Sequence, residues 1–286
     1  MTTMKTDLRQ ALSSGRLILT AECIPPRSGG AEAVTKLSSE LPAALDAIVV
    51  ADNPDEIHGS ALACAALLAR EGRDTVLSLS TRDRNRIALE SDALGASALG
   101  IGGILCLSGN HQSLGVCPQA ASANDIDSIQ LEQSLKALLP ETLIGATAHP
   151  CQKPLELNLL RLRKKVAAGA DFVLTEPVFD LAAFTPWMEA VRAAGLDQRT
   201  AIIVSVLPLT SVEQAEEVRQ RQTYGQLDEA VVARLRDAAD PAKEGLAMAA
   251  AAAAQLKTVA GVRGIHILSG GSEALVADVI KAAGLA

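Results

Sequence analysis

The sequence predicts a (β/α)8 barrel, and three features carry the prediction. Short apolar runs alternate with amphipathic stretches from one end to the other, making eight strand–helix units. The runs are apolar throughout, as in parallel strands buried on both faces. Eight such units in 286 residues, slightly more than the typical ~250 of this architecture, suit a closed ring of strands. A doubly wound open sheet is the second choice. The whole chain, 1–286, is read as one domain.

The elements follow in order. LILTAEC (17–23) is a strand, then 31–41 a helix. AIVVAD (47–52) precedes a helix over 59–70, and TVLSLST (75–81) one over 84–99. ILCLSG (104–109) leads to 126–138, LIGATAH (143–149) to 155–168 and DFVLTE (171–176) to 181–194. AIIVSVL (201–207) is followed by helical stretches over 212–221, 227–236 and 241–256. IHILSG (265–270) and a helix over 273–283 close the chain. The alanine run 248–254 needs no special role, since alanine has the best helix propensity and lets a helix lie close to a sheet. An internal echo supports the ring. GIGGILCLSGN (100–110) and GVRGIHILSGG (261–271) share the frame G-x-x-G-I-x-x-L-S-G at the fourth and eighth strands, which would face each other across a barrel.

Composition narrows the function. Apolar residues make up 49% of the chain and aromatics 2%, so the core is built of Ala, Leu, Val and Ile. So few aromatics exclude a stacking surface for nucleic acid, and a net charge of -7 argues against a phosphate backbone as partner. No apolar run is long enough to span a membrane, and the N-terminus has no signal-peptide core. Five scattered cysteines without a Cys-x-x-Cys pair read as reduced thiols of a cytoplasmic protein. The four histidines have no ligand spacing, so no metal is expected. Neither a phosphate loop, a dinucleotide fingerprint nor a nucleophile elbow is present.

In a barrel of this kind the chemistry gathers where strands end. Those positions hold Glu22; Asp52 and Asn53; Ser80, Thr81, Arg82 and Asp83; Ser108, Gly109 and Asn110; His149; Thr175 and Glu176; Pro208; Ser269 and Gly270. Glu22 ends an apolar run and is followed by Pro25 and Pro26, which turn the chain outward and leave the carboxylate uncovered. The alternative is that Glu22 caps a loop or pairs with Arg27. His266, inside a strand, reads as a core histidine; His149, before Pro150 at a strand end, is the site candidate. Arg82, Asp83 and Arg84 are alternatively a solvated loop.

Five segments carry a resemblance: ECIPPRS, STRDRNRIALESDALGASALGIGGILCLSGN, IGATAHP, LNLLRLRKKVAAGADFVLTEPVFD and SVLPLTSVEQA. Together they resemble the methylenetetrahydrofolate reductase family, in the family's order and over most of the chain. The resemblance implies a (β/α)8 barrel that interconverts 5,10-methylene- and 5-methyl-tetrahydrofolate. It also implies FAD at the strand ends, NAD(P)H as reductant and a place in cytoplasmic one-carbon metabolism and methionine biosynthesis. Glu22 matches the family's general acid, the proton source for opening the five-membered ring; a poorly hydrated mouth would raise its pKa for that task. Asn110, Glu176 and His149 fall at folate-binding positions. Asp52, Ser80, Arg82, Ser108, Gly109, Asn158 and Lys165 fall at cofactor-binding ones, Lys165 matching a phosphate contact.

The departures also matter. The family's acid after the fourth strand is here Asn110, and its Gln before P-V-F-D is here Glu176, as if the carboxylate had moved across the pterin pocket. Ala51–Asp52, Ser78–Thr81 and Val212 replace usual flavin-side residues, and Asp52 adds a charge that would repel a diphosphate. Two alternatives stay open: a flavin-free folate enzyme transferring hydride or methyl directly, and a folate-binding subunit working with a companion protein. A homo-oligomer is also compatible with the sequence.

Overall fold

Eight parallel strands pair in chain order and the eighth closes on the first. The computed structural model describes residues 7–54, 56–111, 117–221 and 227–285. The strands are β1 (Ile18–Cys23), β2 (Ala47–Val50), β3 (Thr75–Ser80), β4 (Gly103–Leu107), β5 (Leu143–Ala148), β6 (Phe172–Pro177), β7 (Ala201–Val206) and β8 (Val262–Ile267). The echoed segments lie at β4 and β8, four apart in the ring. The open-sheet alternative is excluded by the β1–β8 pairing.

Side chains alternate between the two faces of each strand. On β1, Ala21 and Cys23 face the helices, while Ile18, Thr20 and Glu22 face the barrel axis. The lower interior is aliphatic, formed by Val49, Val76, Leu105, Leu174 and Ile203 around the buried ring of Phe172. That ring takes the space left by Gly145, where a Cβ would collide with it. The upper interior turns polar, with Thr20, Glu22, Ser78, Ser80, Thr147, Glu176, Ser205 and His266. An apolar plug thus supports a polar mouth.

Outer helices α2 (Ala31–Glu40), α3 (Ala61–Arg70), α4 (Arg86–Ala98), α5 (Ser128–Leu138), α6 (Leu155–Ala168), α7 (Leu181–Ala193), α10 (Pro241–Leu256) and α11 (Ala274–Ala282) bury aliphatic stripes against the strands, while α8 (Val212–Arg221) and α9 (Glu229–Asp237) pack in a separate cluster with Leu207, Leu209 and Leu268. Within the alanine run, Ala249, Ala250 and Ala253 are buried, as close packing requires.

The structure corrects the sequence reading in a few places. A further helix, α1 (Asp7–Ser14), precedes β1. Its Leu8 and Ala11 join the lower interior cluster and close the barrel floor. Eight residues with two buried apolar positions give too little periodicity to be read in advance. Helix α4 starts at Arg86 rather than 84, because Asn85 caps it by accepting a bond from the Ala88 amide at 3.1 Å. Arg82 and Arg84 thereby stay in the loop.

Candidate active site

A cavity of about 310 Å³ opens at the C-terminal ends of the strands. Glu22, Asp52, Ser80, Arg82, Ser108, Gly109, Asn110, His149, Lys165 and Glu176 all border it. Ten of the eleven site residues expected from sequence are thus gathered there; Asn158 is not among its walls.

Glu22 reaches the cavity from β1, where it pairs with Val49, and is 8% exposed. The proposed partner Arg27 instead pairs with Glu56 at the surface. The prolines are held away from the mouth: the Pro25 carbonyl lies 3.1 Å from His58 Nδ1. Below Glu22 on the same face, Thr20 Oγ1 lies 2.9 Å from His266 Nδ1. Burial pushes the His266 imidazole down to about 3, so it is neutral at physiological pH. It is a core histidine as expected, and it also forms part of the cavity wall.

The β2, β3 and β4 ends are tied together by charge. Asp52 accepts the Ser80 amide at 2.8 Å and is ion-paired with Arg84, which also reaches Asp92 at 3.1 Å. Burial raises the Asp52 carboxyl pKa, opposed by Arg84 and the Ser80 amide. Arg82 bonds Asp83 through Nε at 2.8 Å and spans to the carbonyls of Asn53 at 3.0 Å and Asn110 at 3.3 Å. These arginines are structural ties, not a solvated loop. Gly109 sits at φ +73°, and a Cβ there would collide with Ser80 Oγ. Asn110 and Ser108 are exposed at the rim, the latter 3.3 Å from Ser128 Oγ.

On the other wall, Glu176 Oε1 lies 2.6 Å from His149 Nδ1. Asn158 stands behind, its amide donating to the His149 and Gln152 carbonyls. Its side-chain N–H groups hold the β5–α6 loop rather than pointing at the cavity.

Lys165 is 8% exposed and donates to the Thr147 carbonyl at 2.7 Å and hydroxyl at 3.3 Å. Burial lowers its pKa, opposed by Glu132. Glu132 on α5 has no solvent exposure and neither carboxylate oxygen has a hydrogen-bond partner. Burial pushes it up to about 8. A second cavity, about 280 Å³, shares Ser108, Thr147, His149 and Lys165 with the first and is also lined by Arg161 and Asn158. A third, about 770 Å³, adjoins at Glu176 and Pro177 and runs between α7 and α9. Sequence reasoning missed Arg161, Glu132 and Thr147. The first two lie on helix faces that strand-end reading ignores; the phase of β5 would have found the third.

Among the described residues no group of three or more His, Cys, Asp or Glu is placed to hold a metal. Nor is any described helix long and apolar enough to cross a membrane.

The model of the family described as Methylenetetrahydrofolate reductase matches residues 7–284. The 5,10-methylenetetrahydrofolate reductase of Pectobacterium carotovorum subsp. carotovorum is 25% identical over 219 residues, 73% of this chain and 70% of that protein. Methylenetetrahydrofolate reductase 2 of Saccharomyces cerevisiae is 36% identical over 74 residues, 24% of this chain and 12% of that longer protein. Among solved structures, an uncharacterized protein from Clostridium thermocellum described as binding two copies of 5-methyl-5,6,7,8-tetrahydrofolic acid superposes with a TM-score of 0.72 at 14% identity, covering 98% of this chain and 100% of that one. An oxaloacetate acetylhydrolase in complex with oxalate superposes at 0.56 and 14% identity, over 96% of this chain and 83% of that one. At such identities these structures share the fold.

Proposed function

The chain belongs to the methylenetetrahydrofolate reductase family, and from that premise we propose that it interconverts 5,10-methylene- and 5-methyl-tetrahydrofolate using a nicotinamide reductant. One observation carries the reading: two carboxylates, Glu22 and Glu176, line the same strand-end cavity from different strands. The Clostridium protein's recorded ligand supports a folate as occupant.

The two carboxylates take different tasks. A pterin presents a 2-amino group beside a ring N–H, two donors that a carboxylate matches with two acceptors. Glu176 supplies that match, its side chain 16% exposed. Glu22, the more buried, delivers a proton to the nitrogen that departs when the five-membered ring opens to an iminium. The aliphatic plug below keeps water from the floor, where it would compete for the reactive iminium.

Arg161 and Lys165 would hold the diphosphate of an FAD in the second cavity, whose wall also carries Asp127, the N-cap of α5. Arg161 lines that cavity and makes no hydrogen bond or ion pair with another described residue. Lys165 borders it too, with two of its three N–H groups placed on Thr147. The chemistry that a bound flavin would supply there is hydride for the reduction of the folate. Ser108 lines both cavities, and Gly109 lines the first beside it.

The second reading, direct hydride transfer without flavin, is favoured by the commitment of Arg82, Arg84 and Lys165 to protein acceptors. The deciding experiment is nicotinamide-linked turnover of folate in preparations stripped of flavin, then supplied with FAD. Turnover that depends on FAD supports the first reading, and full turnover without flavin the second. No folate turnover in either rejects the enzymatic reading and favours a folate-binding subunit with a companion protein.

A further inference from the structure

Glu176 and His149 reach the cavity from different strand ends, and each is aimed by its own backbone device. At β6 the pairing with β7 slips: Leu174 faces Ile203, but Pro177 faces Ser205. The extra residue is accommodated by side chains. The Ser205 amide donates to Thr175 Oγ1 at 3.0 Å, and Ser205 Oγ donates to the Thr175 carbonyl. A bulge of this kind re-aims a neighbouring side chain, here Glu176. On the β5 side, Asn158 clasps the carbonyls of His149 and Gln152 and fixes the segment that carries the imidazole.

The two groups meet at 2.6 Å, with side chains 34% and 16% exposed. An imidazole nitrogen and a carboxylate oxygen at that separation attract only with a proton between them. The contact is close but does not meet hydrogen-bond geometry, and His149 Nδ1 has no other hydrogen-bond partner among the described residues. Among the described residues no lysine or arginine is ion-paired with Glu176; its partner is the imidazole.

We infer that His149 is a positioning residue that acts through Glu176. It holds Oε1 by one lone pair and leaves the other lone pairs of the carboxylate directed at two adjacent N–H donors, the edge that a pterin presents. The imidazole itself does not touch the pterin. This rests on the folate reading above and deepens it: recognition at this wall belongs to a coupled pair, not to a lone carboxylate.

A double-mutant cycle on 5-methyltetrahydrofolate binding, measured by titration calorimetry, tests the coupling. His149→Ala is expected to weaken binding roughly 10-fold, the scale of a charge-assisted bond lost at second hand. His149→Gln, whose amide can still donate to Glu176, stays within about three-fold of wild type on the same scale. In the Glu176→Ala background, His149→Ala changes affinity by less than about two-fold. In turnover, His149→Ala raises KM and leaves kcat nearly unchanged. Circular dichroism confirms that each variant is folded; should His149→Ala not fold, His149→Leu replaces it in the cycle. Additive effects of the two alanine substitutions would overturn the inference while leaving Glu176 as the pterin grip, since His149 would then contact the ligand by itself. An unweakened His149→Ala protein would also overturn it. Unchanged binding in Glu176→Ala alone rejects the pterin grip, and the coupling with it.

Discussion

Asp52 and Arg84 form an ion pair at the mouth of the barrel, and the same carboxylate oxygen accepts the Ser80 amide at 2.8 Å. The acid at position 52 is therefore held by its partners and does not face a ligand as an isolated charge. Its charge is opposed by that of Arg84, a residue 32 positions along the chain. A flavin held as proposed would be retained weakly, because Arg82 and Lys165 are already bonded to protein carbonyls.

The purified protein is accordingly expected to be partly colourless and to gain flavin absorbance and turnover on addition of FAD. Arg161→Ala should weaken FAD binding roughly ten-fold, as read by quenching of flavin fluorescence. Unaltered FAD affinity in that variant would remove Arg161 from the site.

Glu22→Gln should keep the fold and the affinity for folate while lowering folate reduction by roughly 10²–10⁴-fold, the usual share of a positioned proton donor. Calorimetric binding and single-turnover rates, measured together, separate the two effects. Turnover close to wild type at every pH rejects the assignment.

Glu176→Ala leaves pterin donors unpaired, at a cost of roughly 2–4 kcal/mol in folate binding. Glu176→Gln, which keeps one acceptor and matches the family's usual residue, should be much milder. The ratio of folate dissociation constants for the two variants is the measurement; equal losses would contradict the argument.

Glu132 gives a pH signature. Its folded pKa, pushed up to about 8 by burial, stands above its ordinary value of 4.5. Below 4.5 both folded and unfolded chains hold the proton. Between 4.5 and about 8 the folded protein retains a proton that the unfolded chain has released, so this group's stabilisation falls as pH rises. Glu132→Gln removes the titration. Thermal melts of both proteins from pH 5 to 8 should show the variant gaining on wild type as pH rises. A constant difference in Tm would contradict the burial argument.

Gly109→Ala combines a left-handed backbone at φ +73° with a collision against Ser80 Oγ. The expected loss is roughly 1–3 kcal/mol, measurable by denaturant unfolding. An unchanged midpoint would show that the β3 and β4 ends can separate without cost.

The barrel, the strand order and the strand-end ring of Glu22, Asp52, Ser80, His149 and Glu176 were legible along the chain, because they follow from local periodicity. An apolar run of five or six residues followed by a polar one marks a buried strand and its mouth wherever it occurs. Which face a side chain takes was also legible in principle, since alternation along β1 places Ile18, Thr20 and Glu22 together.

Partnerships were not legible, because they depend on where separate strand ends converge in space. The sequence offered Arg27 to Glu22, but closure of the ring sent Arg27 to Glu56. It offered Asp52 as a repelling charge, and the β3–α4 loop brought Arg84 onto it. Asn158 lines the second cavity, and the bonds of its amide to the loop of His149 were not announced by the sequence. Even the Glu176–His149 contact lies beside a slipped register between β6 and β7 that no residue pattern announces. Local periodicity is set by the chain's own neighbours and can be read from one end to the other. The pairing of charges is set by distances between strands that only the closed barrel defines, and with it the chemistry available at the mouth.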